Sequence, residues 1–259
     1  MPSFLEQITA ARHAEAEKRA AGGALDEAKA EAAAAEPPRS FAGVLGRPQL
    51  SLIAEIKRAS PSAGDINASV DPVAQARAYQ RGGAAAISVL TEPEYFRGSI
   101  DDLRIVHDSV AVPVLRKDFI SHPLQVWEAR AAGADAILLI VAALDQRDLV
   151  SLYDLAETLA MSALVETHDA DEVARAVEAG ARIVGINTRN LATLEVDPAV
   201  VEKVRASVPD GVTLVGESGV SSRADVEMML AAGVDAVLVG EALMRATDPE
   251  AKVRELLGG

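Results

Sequence analysis

From residue 51 onward the chain alternates between short apolar runs and longer stretches of helical period. The runs fall at 52–56, 85–90, 112–115, 136–141, 162–165, 183–186, 212–215 and 236–239. Each is apolar at almost every position, the mark of parallel strands buried on both faces. A weak repeat keeps the same rhythm. Gly82-Gly83-Ala84-Ala85, Ala132-Gly133-Ala134-Asp135, Ala179-Gly180-Ala181-Arg182 and Ala232-Gly233-Val234-Asp235 each set a helix-ending glycine just ahead of a buried strand. Eight strand–helix units close most naturally as an α/β fold of the (β/α)8 TIM-barrel type. An open doubly wound sheet is the alternative. No Gly-x-Gly-x-x-Gly follows the first run, which argues against the dinucleotide-binding form of that sheet.

Residues 1–47 read differently. The stretch 10–36 is rich in Ala, Glu and Lys, the apolar face is sparse (Phe4, Leu5, Ile8), and Gly22-Gly23 and Pro37-Pro38 punctuate it. This predicts one or two helices packed outside the main body and a short helix near 41–45; a partly mobile arm is the other reading. The expected organisation is an N-terminal helical extension over 1–47 and a barrel over 48–259 in one structural unit, with no fused second barrel.

Composition narrows the function classes. Aromatic residues are only 3 % of the 259 against 49 % hydrophobic, so the core rests on Leu, Ile, Val and Ala. The net charge of −14 argues against nucleic-acid and membrane-surface partners, which need a basic footprint. An anionic ligand would need the few basic residues gathered at its site. With no cysteine, thiolate nucleophiles and disulfides are excluded. The four histidines, His13, His107, His122 and His168, are scattered without metal-ligand spacing and read as surface or structural residues. The N-terminus lacks a signal pattern and the apolar runs are too short for a bilayer, so a soluble, cytoplasmic protein is expected.

In such a barrel, chemistry gathers where the strands end. Unexpected charges sit at those places: Glu55 and Lys57 after the first run, Arg116-Lys117-Asp118 after the third, Glu166 after the fifth, Asn187-Thr188-Arg189 after the sixth, Glu217-Ser218-Gly219 after the seventh and Gly240-Glu241 after the eighth. A spacing of two puts Glu55 and Lys57 on one face. Each charge alone has a structural reading, as a buried ion pair or a rim charge. Together at one mouth they point to function, because charge near a low-dielectric interior is costly. Gly219 and Gly240 would let backbone N–H groups approach a phosphate, and the loop 58–64, with Ser60 and Ser62, would fold over the mouth as a lid.

Ile53-Ala54-Glu55-Ile56-Lys57 with Ser60-Pro61-Ser62 resembles the first-strand signature of indole-3-glycerol phosphate synthases. Val114-Leu115-Arg116-Lys117-Asp118-Phe119, Leu164-Val165-Glu166, Gly185-Ile186-Asn187-Thr188-Arg189 and Gly216-Glu217-Ser218-Gly219 continue the likeness in order, from about residue 39 to the C-terminus. Pro123-Leu124-Gln125 departs from it, since an aromatic is expected before the glutamine. The resemblance implies an anionic small-molecule substrate, 1-(2-carboxyphenylamino)-1-deoxyribulose 5-phosphate, and no metal or organic cofactor. It also implies site roles. Lys117 would protonate the developing alkoxide. Lys57 would pair with the substrate carboxylate or serve as acid in the dehydration, with Glu55 holding it or the leaving hydroxyl. Glu166 would be the general base. Asn187, Arg189, Glu217 and Ser218 would line the sugar and carboxylate sites, and Ser60, Gly219, Gly240 and Glu241 the phosphate end. Which lysine acts at which step stays open. Other tryptophan-pathway enzymes are candidate partners.

Three alternatives remain in view. A phosphoribosylanthranilate isomerase typically uses a cysteine base, absent here. A tryptophan synthase α subunit would place its acids differently and lack Lys117. A non-catalytic phosphosugar-binding barrel has no need of Glu55, Lys57, Lys117 and Glu166 together.

Overall fold

The structure is a computed structural model and describes residues 3–46, 50–189 and 199–259. The boundary expected between 47 and 48 lies outside the described residues. Eight parallel strands close into a barrel: β1 (Ser51–Ile56), β2 (Ala86–Leu90), β3 (Val114–Lys117), β4 (Ala136–Ile140), β5 (Ser162–Thr167), β6 (Ile183–Asn187), β7 (Thr213–Glu217) and β8 (Ala236–Val239). Each strand pairs with its neighbours in sequence, and β1 closes on β8 with Ser51 opposite Ala236 and Ala54 opposite Val239. The open-sheet alternative is therefore excluded.

The alternation of side chains explains why the strands look uniformly apolar. Leu52, Ala54 and Ile56, Ile87 and Val89, Ile137 and Leu139 point outward and join the layer between barrel and helices. Ile53, Ala86, Leu115, Leu138, Leu164, Ile183, Val215 and Leu238 fill the interior. Continuing the inward positions toward the strand ends replaces aliphatic residues with Glu55, Lys117, Glu166 and Glu217. The inward row is thus apolar below and charged at the mouth.

The covering helices are α4 (Pro72–Gly82), α5 (Ile100–Ser109), α6 (Pro123–Ala131), α7 (Gln146–Thr158), α8 (Ala170–Glu178), α9 (Ala199–Arg205), α10 (Arg223–Ala231), α11 (Glu241–Met244) and α12 (Pro249–Leu257), in an order completed by α1 to α3 below. Their starts are written locally. Asp71, Ser99, Asp145, Asp169, Ser222 and Asp248 each accept a backbone N–H of the first turn. The repeat also has a physical basis. Gly83, Gly133, Gly180 and Gly233 all have φ between +86° and +100°, the left-handed turn that carries the chain from a helix into the next strand. Pro123 opens α6, and Gln125 closes its capping box with His122, so the departure from the family pattern lies in a well-formed helix start.

The N-terminal segment forms α1 (Phe4–Ala21), α2 (Ala24–Ala34) and α3 (Phe41–Val44). Its alanines have a use: Ala16 and Ala28 pack against Leu124 of α6, with Trp127 alongside, so small side chains let the helices approach closely. Two parts of the segment do not simply lie outside. Phe41, fully buried, enters the interior cluster from the end where β1 begins, where the Ser51 hydroxyl donates to the Val44 carbonyl at 2.8 Å. Leu5 enters the same cluster from the first turn of α1. Arg12 of α1 bonds the fully buried Asp118 carboxylate through Nε at 3.2 Å and Nη2 at 2.9 Å.

Candidate active site

A cavity of about 500 Å³ opens at the C-terminal ends of the strands. Its lining includes the twelve residues given a role at the site, Glu55, Lys57, Ser60, Lys117, Glu166, Asn187, Arg189, Glu217, Ser218, Gly219, Gly240 and Glu241, while Arg116 and Thr188 from the same strand ends are buried outside it. It also includes apolar residues that sequence reasoning missed, among them Phe4, Leu5, Phe96, Phe119, Leu138 and Ile140. They come from the arm, a loop after β2, the turn after β3, and strand positions that read only as core. The alternation itself was the available signal, since Leu138 and Ile140 lie on the inward row.

Lys117, at the end of β3, is the hub. Its Nζ donates to Glu217 Oε2 at 2.8 Å and to Glu166 Oε2 at 3.2 Å. Burial works against its charge, but the carboxylates of Glu217, Glu166 and Glu55 outweigh it and raise its pKa above the ordinary lysine value. The two glutamates divide in the opposite sense. Burial alone would raise Glu166, yet the charges of Lys117 and His168 and the amide of Asn187 hold it below the usual carboxylate range. Glu217 is pushed up to about 7 by burial and by the neighbouring Glu166 and Glu55 charges, against the pull of Lys117. Its second oxygen is buried and has no hydrogen-bond partner.

Asn187 organises the far side. Its Nδ2 donates to Glu166 Oε1 at 3.1 Å, and its Oδ1 accepts the Ser218 hydroxyl at 2.8 Å and the Arg189 backbone N–H at 3.0 Å. Ser218 and Gly219 are both left-handed, at φ +69° and +75°, which turns the chain sharply after β7. A non-glycine residue there is strained, and the Asn187 bond helps to hold it.

Glu55 and Lys57, on one face of β1's end, form an ion pair at 2.9 Å. Gly240 stands against that pair: a Cβ on it would come within 2.4 Å of Glu55 Oε1 and 3.2 Å of Lys57 Nζ. The glycine thus makes room for the ion pair, a reason independent of any phosphate. The expected lid segment is tied down as a small hairpin, Ala59–Ser60 against Gly64–Asp65. Arg58 anchors it to Asp102 through Nη2–Oδ1 at 3.0 Å and a second contact.

The expectation of a cationic pocket needs correction. Lys57, Lys117, Arg189 and Arg245 line the cavity, but so do Glu55, Glu166, Glu217 and Glu241, and both lysines already sit in carboxylate pairs. The site is charge-dense and self-neutralised. Asp118, next to Lys117, also borders the cavity, but its carboxylate is taken up by Arg116, Arg12 and Thr91. Among the described residues no cluster of three or more His, Asp or Glu is placed to hold a metal ion, and no helix is long and apolar enough to cross a membrane.

Comparisons with known proteins bear on the fold and the family. Among solved structures, a thiamine phosphate pyrophosphorylase from Pyrococcus furiosus aligns with a TM-score of 0.63 at 19 % identity, covering 80 % of this chain and 93 % of that one. A 3-hexulose-6-phosphate synthase aligns at 0.61 and 18 %, covering 81 % and 99 %. These likenesses concern the barrel alone. Curated relatives named indole-3-glycerol phosphate synthase, from Mycobacterium avium and Mycobacterium ulcerans, are each 49 % identical over 255 residues, spanning 98 % of this chain and 94 % of theirs. The family model described as indole-3-glycerol phosphate synthase matches residues 5–256, and the chain belongs to that family of tryptophan-biosynthesis carboxy-lyases.

Proposed function

We propose that this cavity binds 1-(2-carboxyphenylamino)-1-deoxyribulose 5-phosphate and closes its indole ring by the residue roles that follow. The observation that carries the reading is Lys117 held between Glu166 and Glu217, 3.2 and 2.8 Å away, in a cavity whose lining also includes Phe96, Phe119, Leu138 and Ile140.

In the first step the ring carbon bearing the carboxylate bonds to the sugar ketone carbon. The ketone oxygen takes a proton from the Lys117 ammonium, which is oriented by its two carboxylates. An alkoxide is a stronger base than an amine, so a raised lysine pKa does not prevent the transfer. The carbon–carboxylate bond then breaks, carbon dioxide departs, and its electron pair returns to the ring. In the dehydration the hydroxyl leaves as water with a proton from Lys57, which Glu55 orients, while Glu166 removes a proton from the ring system. The two stages are coupled through charge. Glu166 is held low partly by Lys117, so a Lys117 that has given up its proton leaves Glu166 a stronger base for the next stage.

A self-neutralised site must still admit an anion. Glu217 is the group to adjust, because its pKa near 7 lets it take up a proton as the substrate's negative charge arrives. Backbone N–H groups beside Gly219 and Gly240, with Ser60, hold the phosphate end, while Arg189 and Ser218 meet the sugar and carboxylate. The protein works as a soluble cytoplasmic catalyst, with other tryptophan-pathway enzymes as candidate partners. The experiment is direct: mix purified protein with the substrate and follow indole fluorescence. A steady rise supports the reading; substrate binding without a rise overturns it.

A further inference from the structure

His168 stands two residues beyond Glu166 at the end of β5. Its Nε2 lies 3.6 Å from Glu166 Oε1, and this nitrogen is buried and makes no hydrogen bond. On the ring's other edge, Nδ1 lies 3.0 Å from Glu172 Oε2, the same oxygen that accepts the His168 backbone N–H at 2.8 Å. An ionised carboxylate can only accept, so Nδ1 carries the hydrogen on that side. A neutral ring would then aim a lone pair at the Glu166 carboxylate, whereas an imidazolium aims an N–H at it. The charged groups that reach His168 are Glu166 beside it, Glu172 on α8 and Glu217 on β7. Lys117 on β3 holds the other oxygen of Glu166. Burial opposes charge on the ring, but the Glu172 bond and these carboxylates outweigh it, and the His168 pKa is raised.

We propose that His168 is a positioning residue for ring closure: an imidazolium braced by Glu172 that keeps Glu166 ionised and aimed into the cavity. This rests on Glu166 as general base. It also gives a place to the histidine that the sequence offered only as a surface or structural residue. Glu166 would then be held from both oxygens, by Lys117 and Asn187 on the cavity side and by His168 behind, so that its ionisation survives the moment when Lys117 loses its charge.

The test reads the imidazoles directly. The chain has four histidines, and nitrogen NMR across a pH titration, with His168→Gln to assign the signal, resolves them. The His168 ring is expected to stay protonated above the ordinary value of about 6.5, and to titrate lower in Glu166→Gln. In His168→Gln the acid limb of kcat against pH should move up, each unit costing about tenfold in kcat below it, with KM within about twofold of the parent. Glu172→Gln should move the same limb in the same direction by less, which keeps the test open should His168→Gln not fold. A His168 ring that titrates normally and ignores Glu166→Gln overturns the proposal. So does a His168→Gln enzyme that is slower with an unmoved limb. A fully active Glu166→Gln would instead remove the base assignment; the two failures are distinguishable because the His168 titration needs no turnover.

Discussion

Gly185 on β6 and Glu217 on β7 fit together so closely that a Cβ on Gly185 would stand 2.1 Å from Glu217 Oε1. The glycine is therefore part of the active-site geometry although it has no side chain. Glu217 cannot swing away freely, because its other oxygen is bonded to Lys117 at 2.8 Å. Gly185→Ala should leave the barrel folded but push the Glu217 carboxylate and, with it, Lys117. Turnover should fall by about tenfold or more, since a misplacement on the order of 1 Å can cost about 10²-fold. Steady-state kinetics beside circular dichroism checks this; a folded Gly185→Ala enzyme with parental kcat would show that Glu217 has room to move.

Lys117→Ala removes the proposed acid. Turnover should drop by about 10²–10⁴-fold while the barrel stays folded. Lys117→Arg should not restore it, because a guanidinium keeps its proton. Single-turnover rates of indole formation decide the matter, and a loss of less than tenfold in Lys117→Ala would take the acid role away from this residue.

Much of this was legible because the barrel writes its layers into the sequence with period two. Outward Ile137 and Leu139 and inward Leu138 and Ile140 make β4 look uniformly apolar, while Glu55, Lys117, Glu166 and Glu217 break the inward row only where the interior meets the cavity. What could not be read depends on distant segments meeting. Arg12 sits in a helix with a weak apolar stripe, and nothing local links it to Asp118, 106 residues away. The charge balance of the pocket was likewise hidden, because the sequence names Lys117 and Glu217 but not the 2.8 Å between them.

The Arg12–Asp118 pair gives a stability prediction with an internal order. Asp118 is fully buried and accepts from Arg12, Arg116 and Thr91. Arg12→Ala leaves two of those partners and should cost about 1.5–3 kcal/mol, the range for a hydrogen bond to a charged group. Asp118→Asn takes the shared carboxylate from two buried guanidinium groups at once, leaving Arg12 with Glu15 and Arg116 with Thr91 and the Gln125 carbonyl, and should cost more, about 3–5 kcal/mol. The sign with pH follows from the Asp118 pKa, held low by the Arg116 and Arg12 charges against burial. A lowered carboxylate contributes stability that is present above its unfolded value of about 3.9 and fades as pH falls below it. Urea melts at pH 7 and pH 3 should therefore show the gap between parent and Asp118→Asn narrowing at the lower pH. No measurable cost for Arg12→Ala beside a full cost for Asp118→Asn at pH 7 would mean that Arg116 carries Asp118 without the arm.

Glu217 supplies the last prediction, and its sign can be worked out in advance. Its pKa in the folded chain is about 7, above the ordinary 4.5, so at pH 8 the free enzyme holds it mostly ionised and at pH 6 mostly protonated. An anionic ligand bound beside it raises that pKa further, because like charge disfavours the carboxylate. Binding at pH 8 should therefore draw protons from solution, and binding at pH 6 should draw few, since the group is already protonated. Calorimetric titration with a substrate analogue whose ketone is reduced, so that it cannot cyclise, measures this when repeated in buffers of different ionisation enthalpy. The parent enzyme should show a net uptake of a fraction of a proton at pH 8, and Glu217→Gln should show that uptake largely abolished. If Glu217→Gln takes up as many protons as the parent, the adjusting group lies elsewhere.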